Sequence, residues 1–219
     1  MSNPTLANPP GLNALRQYGV NVANVQQVFW QPLYDYQTYD AAGVQTLTFF
    51  QQPKGAGGRT LEDTNMLAAG QLPSPMRMLV LGIELAFFSG AAVSSFQAAP
   101  PAGTELDDLT ALQGRGHLQF NIGQKSFLDE APIDQFPRGV MIDSRNALTD
   151  QTTPGADLFS VISSAQFGGR PYRIVPLTLE PTQNFDVSIN FPNGVVALPS
   201  GVDGRIGVRL IGYQYRLAQ

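Results

Sequence analysis

The amino-acid sequence predicts an all-β fold, an antiparallel sandwich or barrel with Greek-key connections. Three observations carry this expectation. Short runs of alternating apolar and polar residues recur, as where Phe185, Val187, Ile189 and Phe191 interleave with Asp186, Ser188 and Asn190, which is the period of a half-buried strand. Glycine (22) and proline (17) punctuate these runs. Charged residues are only 14% of the chain, against the usual quarter, whereas exposed helices would call for Glu, Lys, Ala and Leu. No βα alternation repeats, which disfavours a parallel sheet. Nothing recurs at a fixed period, as a propeller or solenoid requires.

The elements follow in order. Residues 1–27 are rich in Asn, Pro, Ala and Gln and read as an N-terminal arm, with a short helical turn around Leu12–Tyr18. Residues 28–219 form the β-sandwich domain. It begins at "VFWQPLYDYQTY" (28–39), which carries Phe29, Trp30, Tyr34, Tyr36 and Tyr39. "TLTFFQQ" (46–52) is next, then the strongest strand, "RMLVLGIELAFF" (77–88). A long connection of small residues and prolines, 89–115, holds a short helix at Glu105–Gln113. "HLQFNI" and a second segment at Lys125–Leu128 make the middle of the chain. "DLFSVISSAQF" (157–167) fits a strand or a helical turn. "PYRIVPLTLEP" (171–181), "NFDVSINFP" (184–192) and "GRIGVRLIGYQYRL" (204–217) complete about eight strands. In the last of these the apolar phase changes, so either a bulge lies near Gly212 or both faces are buried. Pro176 similarly suits an edge strand or a bulge.

The totals exclude several function classes. A net charge of −4 and only two lysines, Lys54 and Lys125, leave no basic stripe to displace counterions from phosphates, so direct nucleic-acid binding is not expected. With no cysteine, disulfides, thiolate metal sites and cysteine nucleophiles are excluded. The first residues show neither a basic start nor an apolar secretory segment. No stretch approaches the ~20 apolar residues of a membrane span. The expectation is a soluble chain made in a cytoplasm.

Individual motifs yield no catalytic, cofactor-binding or metal-binding residue. His117 is the single histidine. It alternates with Leu118, Phe120 and Ile122, so it belongs to the polar face of a strand as a solvated or hydrogen-bonded side chain. One histidine cannot supply the imidazoles of a cupin-type metal site, and no G-x-S-x-G elbow accompanies it. "GAGGRT" (55–60) has the glycines of a phosphate loop, but its lysine precedes them and no helix is expected after it. The adjacent pairs Glu62 with Asp63, Asp107 with Asp108, and Asp129 with Glu130 could contribute to a calcium site or a glycosidase pair. They read first as solvated loop charges. The aromatics at 29–39 fit core and interface anchors better than a carbohydrate-stacking platform.

Taken together, the Asn/Pro-rich arm, "VFWQPLYDYQTY", "RMLVLGIELAFF", "HLQFNIGQKSFLDEAP" and "GRIGVRLIGYQYRL" resemble the jelly-roll capsid proteins of tailless icosahedral viruses, particularly bacteriophages with an internal membrane. The resemblance is one of architecture and texture over residues 27–217. It implies a single eight-stranded jelly roll of two four-stranded sheets, an arm that reaches a neighbour, and self-assembly into capsomers of a virion. It also implies contacts with other virion proteins, a virion membrane protein among them, and no enzymatic activity or cofactor. The alternative expectation is a carbohydrate- or receptor-binding β-sandwich, such as a virion spike or lectin-like module.

Overall fold

The computed structural model describes residues 11–90, 105–136, 141–146, 161–166 and 170–217. Their order is α1 (Leu12–Gln17), β1 (Val25–Trp30), β2 (Leu33–Tyr39), β3 (Thr46–Phe49), β4 (Met76–Phe88), α2 (Glu105–Gln113), β5 (His117–Ile122), β6 (Lys125–Pro132), β7 (Met141–Asn146), β8 (Val161–Gln166), β9 (Tyr172–Leu179), β10 (Phe185–Asn190) and β11 (Gly204–Leu217). Eleven strand segments are therefore present among the described residues, where about eight were expected. One excess comes from Pro32. It lacks an N–H and restricts the residue before it, so "VFWQPLYDYQTY" splits into β1 and β2. Another is β7, which pairs with β8 in a separate two-stranded sheet.

All strand pairs are antiparallel. One large sheet has the order β1–β11–β4–β9, with β2 also on β11. The other has the order β3–β10–β5–β6. β1 and β2 run along one edge of β11 in succession, Val25 opposite Leu217 and Tyr39 opposite Gly204. The period-two pattern turns one face of each sheet inward. Leu118, Phe120, Ile122, Phe185, Val187 and Ile189 from one sheet join Met78, Val80, Ile83, Leu85, Val208 and Leu210 from the other in a single buried cluster. This is an all-β sandwich with its core between the layers.

The change of phase in β11 is a bulge. Its register against β4 shifts between Ile211 and Gly212. A Cβ on Gly212 would collide with the Leu79 carbonyl, so only glycine permits the close backbone approach that the bulge makes. Pro176 lies in β9, which among the described residues pairs only with β4 and so is an edge strand, and the β4–β9 register shifts between Val80 and Gly82.

A second, smaller cluster covers one end of the outer face of the β11 sheet. Leu12 and Leu15 of α1 and Val25 pack on Leu79 and Tyr215. The helix is stopped by a Schellman motif, Gly19 N–H donating to Arg16 O at 3.0 Å and Val20 N–H to Leu15 O at 3.1 Å. Much of the expected arm is thus packed on the sandwich, and β1 starts at Val25 rather than 28. Residues 1–10 lie outside the described residues.

Candidate functional site

The most constrained polar group lies where the two sheets meet at the β2–β3 edge. Period two places Leu33, Asp35 and Tyr39 on the inward face of β2, all buried. Asp35 is fully buried, so its carboxylate must be hydrogen-bonded. Phe50 N–H donates to Oδ2 at 2.6 Å, and the Arg59 guanidinium pairs with Oδ1. Arg59 also donates to Tyr36 O at 2.7 Å. Burial pushes the Asp35 carboxyl above its ordinary value, against the opposing pull of the Phe50 amide and the Arg59 charge.

Phe50 explains why this carboxylate is needed. It has φ 68, a left-handed conformation that is costly for an aromatic residue. Three contacts hold it there. Asp35 takes its N–H, Gly70 N–H donates to its carbonyl at 2.8 Å, and its ring is buried 5.5 Å from that of Phe185. Next to Asp35 on the inward face, Gln37 donates to Thr48 O at 2.5 Å. Two side chains of β2 in one sheet therefore cap the backbone of β3 and its exit in the other.

"GAGGRT" serves this seam. It forms a 3₁₀ turn at Ala56–Gly58, anchored by Lys54 N–H to Met66 O (3.0 Å) and Gly55 N–H to Arg59 O (2.8 Å). The loop delivers Arg59 to Asp35, and no α-helix follows it. Its phosphate-loop appearance comes from tight turning alone.

On the outer face of the same sheet, Arg205, Gly207 and Arg209 alternate along β11, and Gly207 lies opposite Tyr36. A Cβ on Gly207 would collide with the Tyr36 ring, so the glycine lets that ring lie against the sheet. The Arg205 and Arg209 guanidiniums stand 4.7 and 5.7 Å from the ring centroid, within cation–π range. Arg209 Nε donates to the Tyr36 hydroxyl at 2.6 Å and Nη1 is 3.8 Å from Glu84. Arg205 pairs with Asp63 at 3.0 Å. The Thr60 N–H, with help from Arg205, holds the Asp63 carboxyl below its ordinary value, whereas burial raises that of Glu84.

Two shallow clefts of about 400 and 390 Å³ flank Tyr36. The first is lined by Gln37, Thr48, Gln51, Arg59 and Arg205, the second by Pro32, Tyr34, Leu61, Glu62, Glu84 and Arg209. Their charged groups are largely spent on each other. Asp35 lines neither cleft.

The remaining sequence candidates scatter. His117 is half-buried on β5, opposite Asn190 and Pro132, amid an outer polar face in which Gln119 donates to Asp129 (2.8 Å) and Asn121 to Asp186 (3.1 Å). Asp108 is fully buried and accepts from Ser89 Oγ at 2.7 Å and from Ser200 N–H and Oγ, each at 2.8 Å. It pins α2 to the loop before β11. The three adjacent carboxylate pairs are not brought together, and among the described residues no three acidic or imidazole side chains cluster as metal ligands. The 29–39 aromatics also part company. Phe29 packs on the core and Tyr39 is buried, its hydroxyl donating to Val196 O at 2.7 Å. Tyr34 donates to Leu61 O, and Trp30 alone is well exposed, edge-to-face with Tyr213 at 4.7 Å.

Comparison with family models, with curated proteins and with solved structures finds no match.

Proposed function

We propose that this chain is a viral structural protein, a capsid subunit built on a single jelly roll that self-assembles into the capsomers of an icosahedral shell. The strand order carries the proposal. With β1 and β2 counted as one strand interrupted at Pro32, and the β7–β8 hairpin set aside, eight strands remain. The first pairs with the last (β11), β3 with β10, β4 with β9, and β5 with β6. A ribbon of four antiparallel pairs wound into two facing sheets is the jelly-roll arrangement, which recurs in viral capsid and lectin domains and in cupins.

Three further observations favour a shell over the other uses of that fold. A single histidine cannot build a cupin metal centre. The space between the sheets is filled by Phe, Tyr, Leu, Ile and Val side chains, and the two clefts near Tyr36 are shallow and self-neutralised. Charge is sparse, and Trp30, Leu61, Leu67, Phe127, Val175 and Val195 are more than half exposed. Such a surface suits burial against identical copies. The mechanism is assembly by shape and edge complementarity, with residues 1–10 as the tie to a neighbour. Sedimentation of the purified chain, with electron microscopy of the heaviest fraction, tests the proposal. Symmetric oligomers or regular particles are expected; a strictly monomeric species at high concentration overturns it.

A further inference from the structure

An asparagine followed by glycine is open to attack by the chain's own backbone, because glycine has no Cβ to crowd its nitrogen. This sequence has one such pair, Asn193–Gly194, in the turn that leaves β10. Pro192 and Asn193 are exposed there, and one backbone bond closes the turn, Gly194 N–H to Phe191 O at 3.1 Å. No atom lies within 4 Å of where a Cβ on Gly194 would stand. Among the described residues no hydrogen bond ties down the Asn193 side chain. Other asparagines contrast. Asn65, Asn121 and Asn190 spend their amides on hydrogen bonds, and Asn184 precedes the bulky Phe185. The acidic counterpart, Asp203–Gly204, is locked: Asp203 Oδ1 accepts from Ala41 N–H at 2.8 Å, and Gly204 lies in β11 opposite Tyr39.

We propose that Asn193 is a site of self-modification, at which the Gly194 nitrogen closes on the Asn193 side-chain amide and the folded chain acquires aspartate and isoaspartate. Hydroxide takes the Gly194 N–H proton, and the nitrogen forms a bond to Asn193 Cγ. The Cγ–Nδ2 bond breaks, and Nδ2 leaves as ammonia after taking a proton from water. Water then adds to one carbonyl of the cyclic imide and breaks its bond to the Gly194 nitrogen. Opening at Cγ gives aspartate, and opening at the backbone carbonyl gives isoaspartate. Nothing is oxidised or reduced, and water is the only co-reactant. The Gly194 nitrogen is freed by opening the turn, which costs little where a lone exposed hydrogen bond holds it. The segment that follows stays anchored, with Val196 O accepting from the Tyr39 hydroxyl at 2.7 Å and Leu198 N–H donating to Ala41 O at 2.8 Å. The change therefore adds one negative charge to a chain of net −4 without loosening the sandwich.

Peptide mapping of the full chain, aged below the assembly concentration, tests this. The tryptic peptide 174–205 carries Asn184 and Asn190 as internal references. In folded protein Asn193 should be converted while both references stay intact, giving aspartate together with isoaspartate and releasing an equal amount of ammonia. The rate should rise roughly tenfold per pH unit near neutrality, as the ionised fraction of a very weak acid does. Asn193→Gln, which would have to close a larger ring, should lose the conversion. Asn193→Asp, which carries the new charge, should keep the wild-type unfolding midpoint. An Asn193 that survives in the folded chain but is converted in urea overturns the proposal, because the turn then protects it. So does conversion of Asn184 or Asn190 at the same rate, or aspartate formed without isoaspartate, the mark of direct hydrolysis. A lowered midpoint for Asn193→Asp overturns the claim that the sandwich is left intact.

Discussion

Asp35→Asn isolates what the seam contributes. Asparagine keeps an oxygen for Phe50 N–H but removes the charge opposite Arg59, whose side chain is only 13% exposed. Removing one partner of a buried ion pair costs about 3–5 kcal/mol. Arg59 keeps its bond to Tyr36 O and some solvent, so the lower end, about 3 kcal/mol, is expected. Asp35→Ala should lose about 1–3 kcal/mol more, because Phe50 N–H is then left without an acceptor in the conformation that most needs one. Asp35→Asn with Arg59→Met removes both charges and should be more stable than Asp35→Asn alone, because the orphaned guanidinium is gone. Urea unfolding followed by far-UV circular dichroism, below the assembly concentration, measures these three and the Arg59→Met single. A loss under about 1 kcal/mol for Asp35→Asn, or a double variant whose loss equals the sum of the singles, would refute the clamp.

Three other outcomes are expected. Leu15→Ala should cost about 2–5 kcal/mol from the cavity it opens beside Leu79 and Tyr215, and deletion of residues 1–26 should destabilise the fold where deletion of 1–10 only impairs assembly; equal unfolding midpoints for the two truncations would count against this. Gly212→Ala should destabilise by about 1–3 kcal/mol, since the Cβ meets the Leu79 carbonyl, and an unchanged midpoint would show that the bulge relaxes. Glu84, raised by burial, contributes stability that is full below its unfolded value and lost as pH rises through the folded one. The wild type should therefore lose ground to Glu84→Gln from about pH 4 upward. Asp63, lowered by the Thr60 N–H and Arg205, has the opposite sign: its contribution is present above the unfolded value and lost as pH falls through the folded one. A pH-independent difference between wild type and Glu84→Gln would contradict the assignment.

Period-two alternation was a sound guide wherever one face is buried. It located β5, β10 and β11, and the phase change in β11 marked its bulge. It was silent about β7, which among the described residues pairs only with β8. It missed the β1–β2 break because the aromatic run on both sides masked the meaning of Pro32. Asp35 was legible in one respect. It shares a phase with Leu33 and Tyr39, and a carboxylate in that company must have a partner. Its partner was not legible, because Arg59 lies in a glycine loop that looked like a phosphate binder. The Tyr36 cluster needed the β2–β11 register before Arg205, Gly207 and Arg209 could be seen as one surface.

The seam follows from one constraint. In a sandwich of two open sheets, every strand at a margin has backbone donors and acceptors that must be paired, hydrated or covered. At the β2–β3 margin the chain spends a buried carboxylate, a glutamine, a guanidinium and the 63–65 segment on that task. An uncompensated charge there would cost more than most single interactions supply, so this margin is built to stay shut. β1 lies on the same side of the same sheet before Pro32, and its register against β11 shifts between Val25 and Gln27. The sealed length along β2 holds the two layers together, because its carboxylate and glutamine in one sheet take up the backbone of β3 and its exit in the other.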